Sequence, residues 1–188
     1  AAKVTPAGAA VIVAYRALEC ELSRLVERLE AALGGEGSPD NWVWSLGMKT
    51  SARNAIRGVV DEVVRGAVNS EVALKVSEGV SIVAVITNDS VEALGLVPGR
   101  EALALIKSSF VILAPGEEVL RTSARNCLKG VVVRHERGAV NDEVVVEIDA
   151  GKTVVAVITR RSAEDLKIAP GAPVQALIKA SHVILAVD

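Results

Sequence analysis

Residues Glu71–Thr87 read "EVALKVSEGVSIVAVIT", and Glu143–Thr159 read "EVVVEIDAGKTVVAVIT". Each stretch sets aliphatic, mostly β-branched residues at alternate positions on both sides of a short turn. The turn is Glu78-Gly79 in the first and Ala150-Gly151 in the second. A period of two, with a glycine-containing break between the runs, is the pattern of a half-buried β-hairpin. The likeness between the two stretches extends well beyond them. With Thr50 set on Thr122, the chain matches itself without a gap as far as Ala114 and Ala186, and about half the positions are identical.

Outward from the hairpin the same period predicts strands at Ile56–Arg65, Glu71–Ser77, Val80–Thr87, Glu101–Lys107 and Ser109–Leu113, each with its counterpart in the second copy. "NDSVEALGLVPG" (88–99) and "RRSAEDLKIAPG" (160–171) separate the third strand from the fourth. Ser90 or Ser162 is the expected N-cap of a one- or two-turn helix there, and Pro98-Gly99 or Pro170-Gly171 the turn that ends it. Five strands with a short helix between the third and fourth is the pattern of an OB-type barrel. The expected fold is therefore mainly β: two tandem five-stranded OB-like barrels, at 50–116 and 117–188.

Ahead of them, Thr5 and Pro6 look like an N-cap with proline at the first helical position. Val11, Ala14, Leu18, Leu22, Leu25, Leu29 and Ala32 then recur in steps of three and four, with Glu19, Arg24, Glu27 and Arg28 off the stripe. This predicts one long amphipathic α-helix within 1–33, whose near-heptad seam suits dimerisation better than packing within one chain. "GGEGSPDN" opens a connector at 34–49 that carries Trp42 and Trp44, read as anchors to a domain face.

At 188 residues, 51% hydrophobic and with a net charge of −2, the chain can bury a core and has no global field that would draw it to nucleic acid or anionic lipid. No apolar run reaches bilayer length and no leader opens it, so a soluble cytoplasmic protein with no membrane partner is expected. Cys20 and Cys127 match no metal spacing, and His135 and His182 stand alone, so no metal site is expected.

Most surface charges have drifted between the copies: Asp61 faces Val133, Glu62 faces Arg134 and Lys75 faces Glu147. Among the polar positions that persist are Ser51 and Ser123, Arg53 and Arg125, Thr87 and Thr159, Ser90 and Ser162, Lys107 and Lys179. None pairs a carboxylate with a nucleophile or a histidine, so acid–base and covalent catalysis lack their players and no enzyme is expected. What remains is a set of donors: two cations and three hydroxyls per copy. Such a set suits a small, fully ionised tetrahedral oxyanion, every oxygen of which can accept. Single-strand nucleic-acid binding, the other use of such barrels, needs stacking aromatics that these copies lack.

The twin "TSARN" pentapeptides (Thr50–Asn54, Thr122–Asn126), the glycine four residues beyond each, "RGAVN", "VAVIT" and "ALIKSS.VIL" or "ALIKAS.VIL" resemble the molybdate-binding MOP-domain family across 49–187. That family occurs singly or in tandem in molbindins, and in tandem in molybdate-responsive regulators of the ModE type. "VTPAGAAVIVAYRALECEL" resembles the end of the regulators' winged-helix domain leading into a dimerising helix. The resemblance implies an effector domain that binds molybdate or tungstate, in a homodimer or a higher oligomer. It would touch operator DNA only through a helix-turn-helix that is not complete in this chain. The alternative it leaves open is a cytoplasmic storage protein. It places oxyanion ligands on Ser51, Arg53, Thr87, Ser90 and Lys107 and on Ser123, Arg125, Thr159, Ser162 and Lys179. A backbone N–H beside each lysine adds Ser108 and Ala180, and the family's pocket forms across contacts between barrels.

Overall fold

The computed structural model describes Tyr15 and residues 50–116, 118, 120–149 and 151–187. The predicted dimerising helix and the tryptophan-bearing connector lie outside the described residues, apart from Tyr15, which is helical. The first copy contributes β1 (Asn54–Arg65), β2 (Asn69–Lys75), β3 (Ser81–Thr87), helix α1 (Asn88–Ala93), β4 (Glu101–Ile106), a 3-10 turn (Ser108–Phe110) and β5 (Ile112–Pro115). The second contributes β6 (Asn126–Glu136), β7 (Asn141–Asp149), β8 (Lys152–Thr159), α2 (Arg160–Asp165), β9 (Pro173–Ile178), a 3-10 turn (Ala180–His182) and β10 (Val183–Ala186).

The long first strand of each copy makes the sheet curl. Asn54–Val59 pairs with β4, and Val59–Arg65 pairs with β2. A bulge at Asp61 separates the two ladders, and the second copy has the same irregularity at Val133. An extra residue bends a strand and sharpens its twist, which lets one strand serve both walls of a barrel. The bend brings backbones close: a Cβ on Gly58 would lie 2.9 Å from the Lys75 carbonyl, and one on Gly130 would strike the Glu147 carbonyl. This is the physical reason for the glycine four residues after each pentapeptide.

The alternation read from the sequence sends Val72, Leu74, Ile82 and Ala84, and likewise Val144, Val146, Val154 and Ala156, fully inward. Val91 of α1 and Leu96, just beyond the helix, join that core. The helix cap differs from expectation: Thr87 and Thr159, not Ser90 and Ser162, are the N-caps, each accepting from the serine N–H three residues on. Threonine sits in extended backbone at the end of its strand, where its hydroxyl can reach back to the third amide.

Two further differences concern the fifth strand. The chain makes a 3-10 turn at Ser108–Phe110 before extending, so β5 starts at Ile112 rather than Ser109. More consequential is its destination. The sheets run β10-β4-β1-β2-β3 and β5-β9-β6-β7-β8, so each takes its fifth strand from the other copy. The five-strand count holds, but the sequence division at 116/117 does not divide the sheets. Because β5 ("ILAP") and β10 ("VILA") both offer aliphatic edge residues, either can satisfy β4 or β9, and an exchange leaves no ladder bond unmade. The Phe110 and His182 rings, at equivalent positions of the two copies, meet with centroids 4.5 Å apart. A local twofold therefore passes between them.

Candidate functional site

Register places Arg53 and Lys107 side by side. Asn54 pairs with Ile106 across β1 and β4, and the next positions outward are Arg53 and Lys107. Directly facing residues of antiparallel strands have Cα atoms about 5 Å apart, so the two cations share one sheet end with Ser51 and Ser108. The second copy repeats this, with Asn126 opposite Ile178 and thus Arg125 beside Lys179, next to Ser123 and Ala180. Arg53, Lys107, Arg125 and Lys179 are all exposed, whereas Ser108 and Ala180 are buried.

Thr87 and Ser90 are not at that end of their own copy. Thr87 pairs with Asn69, next to the far end of β1, where Arg65 pairs with Ser70 and meets Glu92 of α1 at 3.0 Å. Some eleven residues of β1 separate them from Arg53. Across the local twofold the separation is much shorter. Arg125 reaches Glu71 on β2, two residues from Asn69, which faces Thr87. Arg53 likewise points to Glu143 on β7, two residues from Asn141, which faces Thr159. The sequence-predicted residues thus gather crosswise: Ser51, Arg53, Lys107 and Ser108 along β7–β8, and Ser123, Arg125, Lys179 and Ala180 along β2–β3.

Two buried asparagines lock this seam. Asn54 Nδ2 donates to the carbonyls of Val155 (2.9 Å) and Ile106 (3.2 Å), while Val155 N–H donates to Asn54 Oδ1 (2.6 Å). Asn126 does the same with Val83 and Ile178. The 3-10 turn that follows each lysine packs on the same foreign strand, Ser108–Phe110 on β8 and Ala180–His182 on β3. An amide that pairs with both the N–H and the C=O of one residue acts as a short piece of strand, holding the neighbouring arginine in register.

The hydroxyls are arranged as donors. Thr87 Oγ1 and Ser90 Oγ lie 2.8 Å apart, and Thr159 Oγ1 and Ser162 Oγ 2.7 Å apart. The serine amide N–H is already taken by the threonine oxygen. In each pair one hydroxyl donates to the other, leaving one O–H to donate outward. The guanidinium groups have carboxylate partners. Arg125 donates from Nη2 to Glu71 Oε1 (2.9 Å) and from Nε to Oε2 (3.3 Å), and this pairing holds its pKa above the usual arginine value. Arg53 Nη2 stands 3.7 Å from Glu143 Oε2. Lys107 Nζ lies 5.8 Å from the centroid of the Phe110 ring, a cation–π contact next to the twofold.

Sequence reasoning passed over Asn54, Asn126, Glu71 and Glu143. The signal was present, because all four are identical between the copies, as the donors are. His135 and His182 proved to have company: His135 Nε2 lies 2.7 Å from Asp142 Oδ2, and His182 is in the ring stack. Among the described residues no group of three potential metal ligands occurs, and no helix is long and apolar enough to cross a membrane.

Comparison with known proteins gives this arrangement its context. The family model of the TOBE domain matches residues 50–113 and 122–185. The chain is 46% identical over 185 residues to the molybdenum-pterin-binding protein MopA of Rhodobacter capsulatus, covering 98% of this chain and 70% of that one. It is 41% identical over 190 residues to the molybdenum transport protein ModE of Azotobacter vinelandii, again covering 98% and 70%. Among solved structures it resembles the cytoplasmic molybdate-binding protein ModG with molybdate bound. There the TM-score is 0.72 and the identity 40%, over 75% of this chain and 100% of that one. Two copies of one domain, gapless between themselves and matched by one family model, leave a single conclusion: the chain belongs to the TOBE-domain family and carries its domain in tandem.

Proposed function

We propose that this chain is the molybdate-binding effector part of a molybdenum-responsive transcriptional regulator, a cytoplasmic homodimer that also accepts tungstate. Each site is assembled crosswise: Ser51, Arg53, Lys107 and Ser108 with Thr159 and Ser162, and Ser123, Arg125, Lys179 and Ala180 with Thr87 and Ser90. The observation that carries this reading is the gathering of donor side chains, two cations and three hydroxyls per repeat, at a seam between repeats. It is supported by the similarity to ModE over 98% of the chain. A charge-assisted hydrogen bond contributes about 1.5–3 kcal/mol net, so a handful of them suffices for micromolar affinity. Binding rather than catalysis suits a set of donors whose neighbouring carboxylates, Glu71 and Glu143, face arginines. Because each site spans two repeats, the anion favours the arrangement in which its donors converge, and only such differential affinity can drive a switch in an attached DNA-binding domain.

The reading is tested by equilibrium dialysis with molybdate, tungstate and sulfate. Uptake of molybdate over sulfate, abolished by Lys107→Ala with Lys179→Ala, is expected; unchanged uptake in that double variant would refute it. A storage role is the second reading, favoured by the complete donor set in both copies and by the match to all of ModG. A helix-turn-helix reading frame continuous with Ala1 decides for the regulator.

A further inference from the structure

The two arginines are not equally available. Arg125 has both ends of its fork engaged by Glu71, at 2.9 and 3.3 Å, in the geometry a tetrahedral oxyanion would use. Arg53 has only a 3.7 Å approach to Glu143, too long for a hydrogen bond. The difference has a visible cause. Glu143 is drawn away by Arg134, whose Nη2 donates to Glu143 Oε1 at 3.1 Å, and Arg134 in turn is held by Glu136. In the first copy the position of Arg134 is occupied by Glu62, on the strand beside Glu71. A cation there would compete for Glu71; a carboxylate repels it towards Arg125.

We infer that Glu71 is an internal stand-in for the anion that gates the Arg125 site, while the Arg53 site stands open, so the two sites of one chain fill in order. This deepens the proposed function and rests on it. At the Arg53 site the incoming dianion displaces a loose contact. At the Arg125 site it must first dislodge a two-point carboxylate, and in doing so it severs a tie between the repeats. Filling the second site therefore changes how the repeats are held, whereas filling the first does not. The gate also sets a threshold: the second step responds only at higher anion concentration.

Calorimetric titration of the full chain with molybdate tests this. Two unequal steps are expected, the tighter lost in Arg53→Ala and the weaker in Arg125→Ala. Glu71→Gln should strengthen the weaker step about tenfold, one charge-assisted bond's worth, and leave the tighter within twofold. Arg134→Glu, which copies the first repeat, should weaken the tighter step and make the two alike. Equal steps in the unaltered chain, or a Glu71→Gln profile identical to it, overturn the gate while leaving molybdate binding intact. No uptake by the unaltered chain overturns the binding reading and the gate with it. An independent readout needs no ligand: in the ¹H–¹⁵N spectrum of the free protein, the Arg125 Nε–H should be protected from exchange, and that of Arg53 should not. Protection that survives Glu71→Gln refutes the gate on its own.

Discussion

The two repeats share a backbone plan and differ beneath the hairpin that joins their first two strands. In the first copy Val63 pairs with Val72, the Ser70 hydroxyl donates to Asn88 Oδ1 at 2.6 Å, and Asn88 Nδ2 donates to the Gly66 carbonyl. In the second the same places hold His135, Asp142 and Arg160. Asp142, 1% exposed, accepts from the Gly138 N–H at 3.1 Å and meets His135 Nε2 at 2.7 Å. One repeat satisfies its buried polar atoms with neutral groups, the other with charge. A barrel of this kind demands that the pocket be satisfied and tolerates either chemistry, provided that all its members change together.

The largest effect that would separate the copies is steric. Gly130→Ala drives a methyl into a backbone carbonyl, whereas Gly58→Ala makes a 2.9 Å contact. The first should cost on the order of 3 kcal/mol and the second about half of that, read from urea midpoints. Equal costs would mean that the second repeat relaxes more readily than the first. Next come the seam asparagines, where symmetry is expected to hold. Asn54→Ala and Asn126→Ala each remove the partner of a half-buried N–H and C=O on the opposite repeat and should each cost about 2 kcal/mol. A marked inequality would break the local twofold as an energetic description.

Smaller is the difference at the end of the short helices. Gly95 takes φ +59°, and its counterpart Lys167 takes φ +54° with a side chain to accommodate. Lys167→Gly should raise stability by about 0.5–1 kcal/mol, and Gly95→Ala should lower it by a similar amount. The smallest effect appears only in acid. The His135 hydrogen bond, aided by the Gly138 N–H and opposed by burial, holds the Asp142 carboxyl below its ordinary value of 3.8. A lowered carboxyl stabilises the fold above the unfolded value, and that contribution is lost as pH falls through the folded one. The stability gap between the unaltered chain and Asp142→Asn should therefore hold above about pH 5 and narrow as pH falls through the ordinary value of 3.8 to below the folded one. Ser70, which does not titrate, should give its repeat no such dependence.

Strands and repeat were legible in the sequence because each leaves a local trace: alternation along a strand, or identity between copies. The partner of the fifth strand was not. Leu113 and Leu185 both point inward, and both strands expose an isoleucine, Ile112 and Ile184, so nothing in either segment states which sheet it joins. That donors of one copy would meet those of the other was implied only by the family resemblance; the residues themselves do not say which strands of the two copies lie together. Asn54 and Glu71 escaped notice for another reason. Asparagine in a polar pentapeptide reads as a turn former and glutamate at a strand end as solvated surface, and only the opposite repeat reveals what they bind.

The exchange of final strands has a consequence for how such a molecule is made. A fragment ending near Gly116 would present β5 with no β9 to receive it, and a bare β4 flank awaiting cover. It could hide both only by trading with a second fragment, at the mercy of dilution. Joined head to tail, the traders are never more than a short tether apart, at an effective concentration in the millimolar range. The tandem gene product is in this sense a dimer that cannot come apart into its halves.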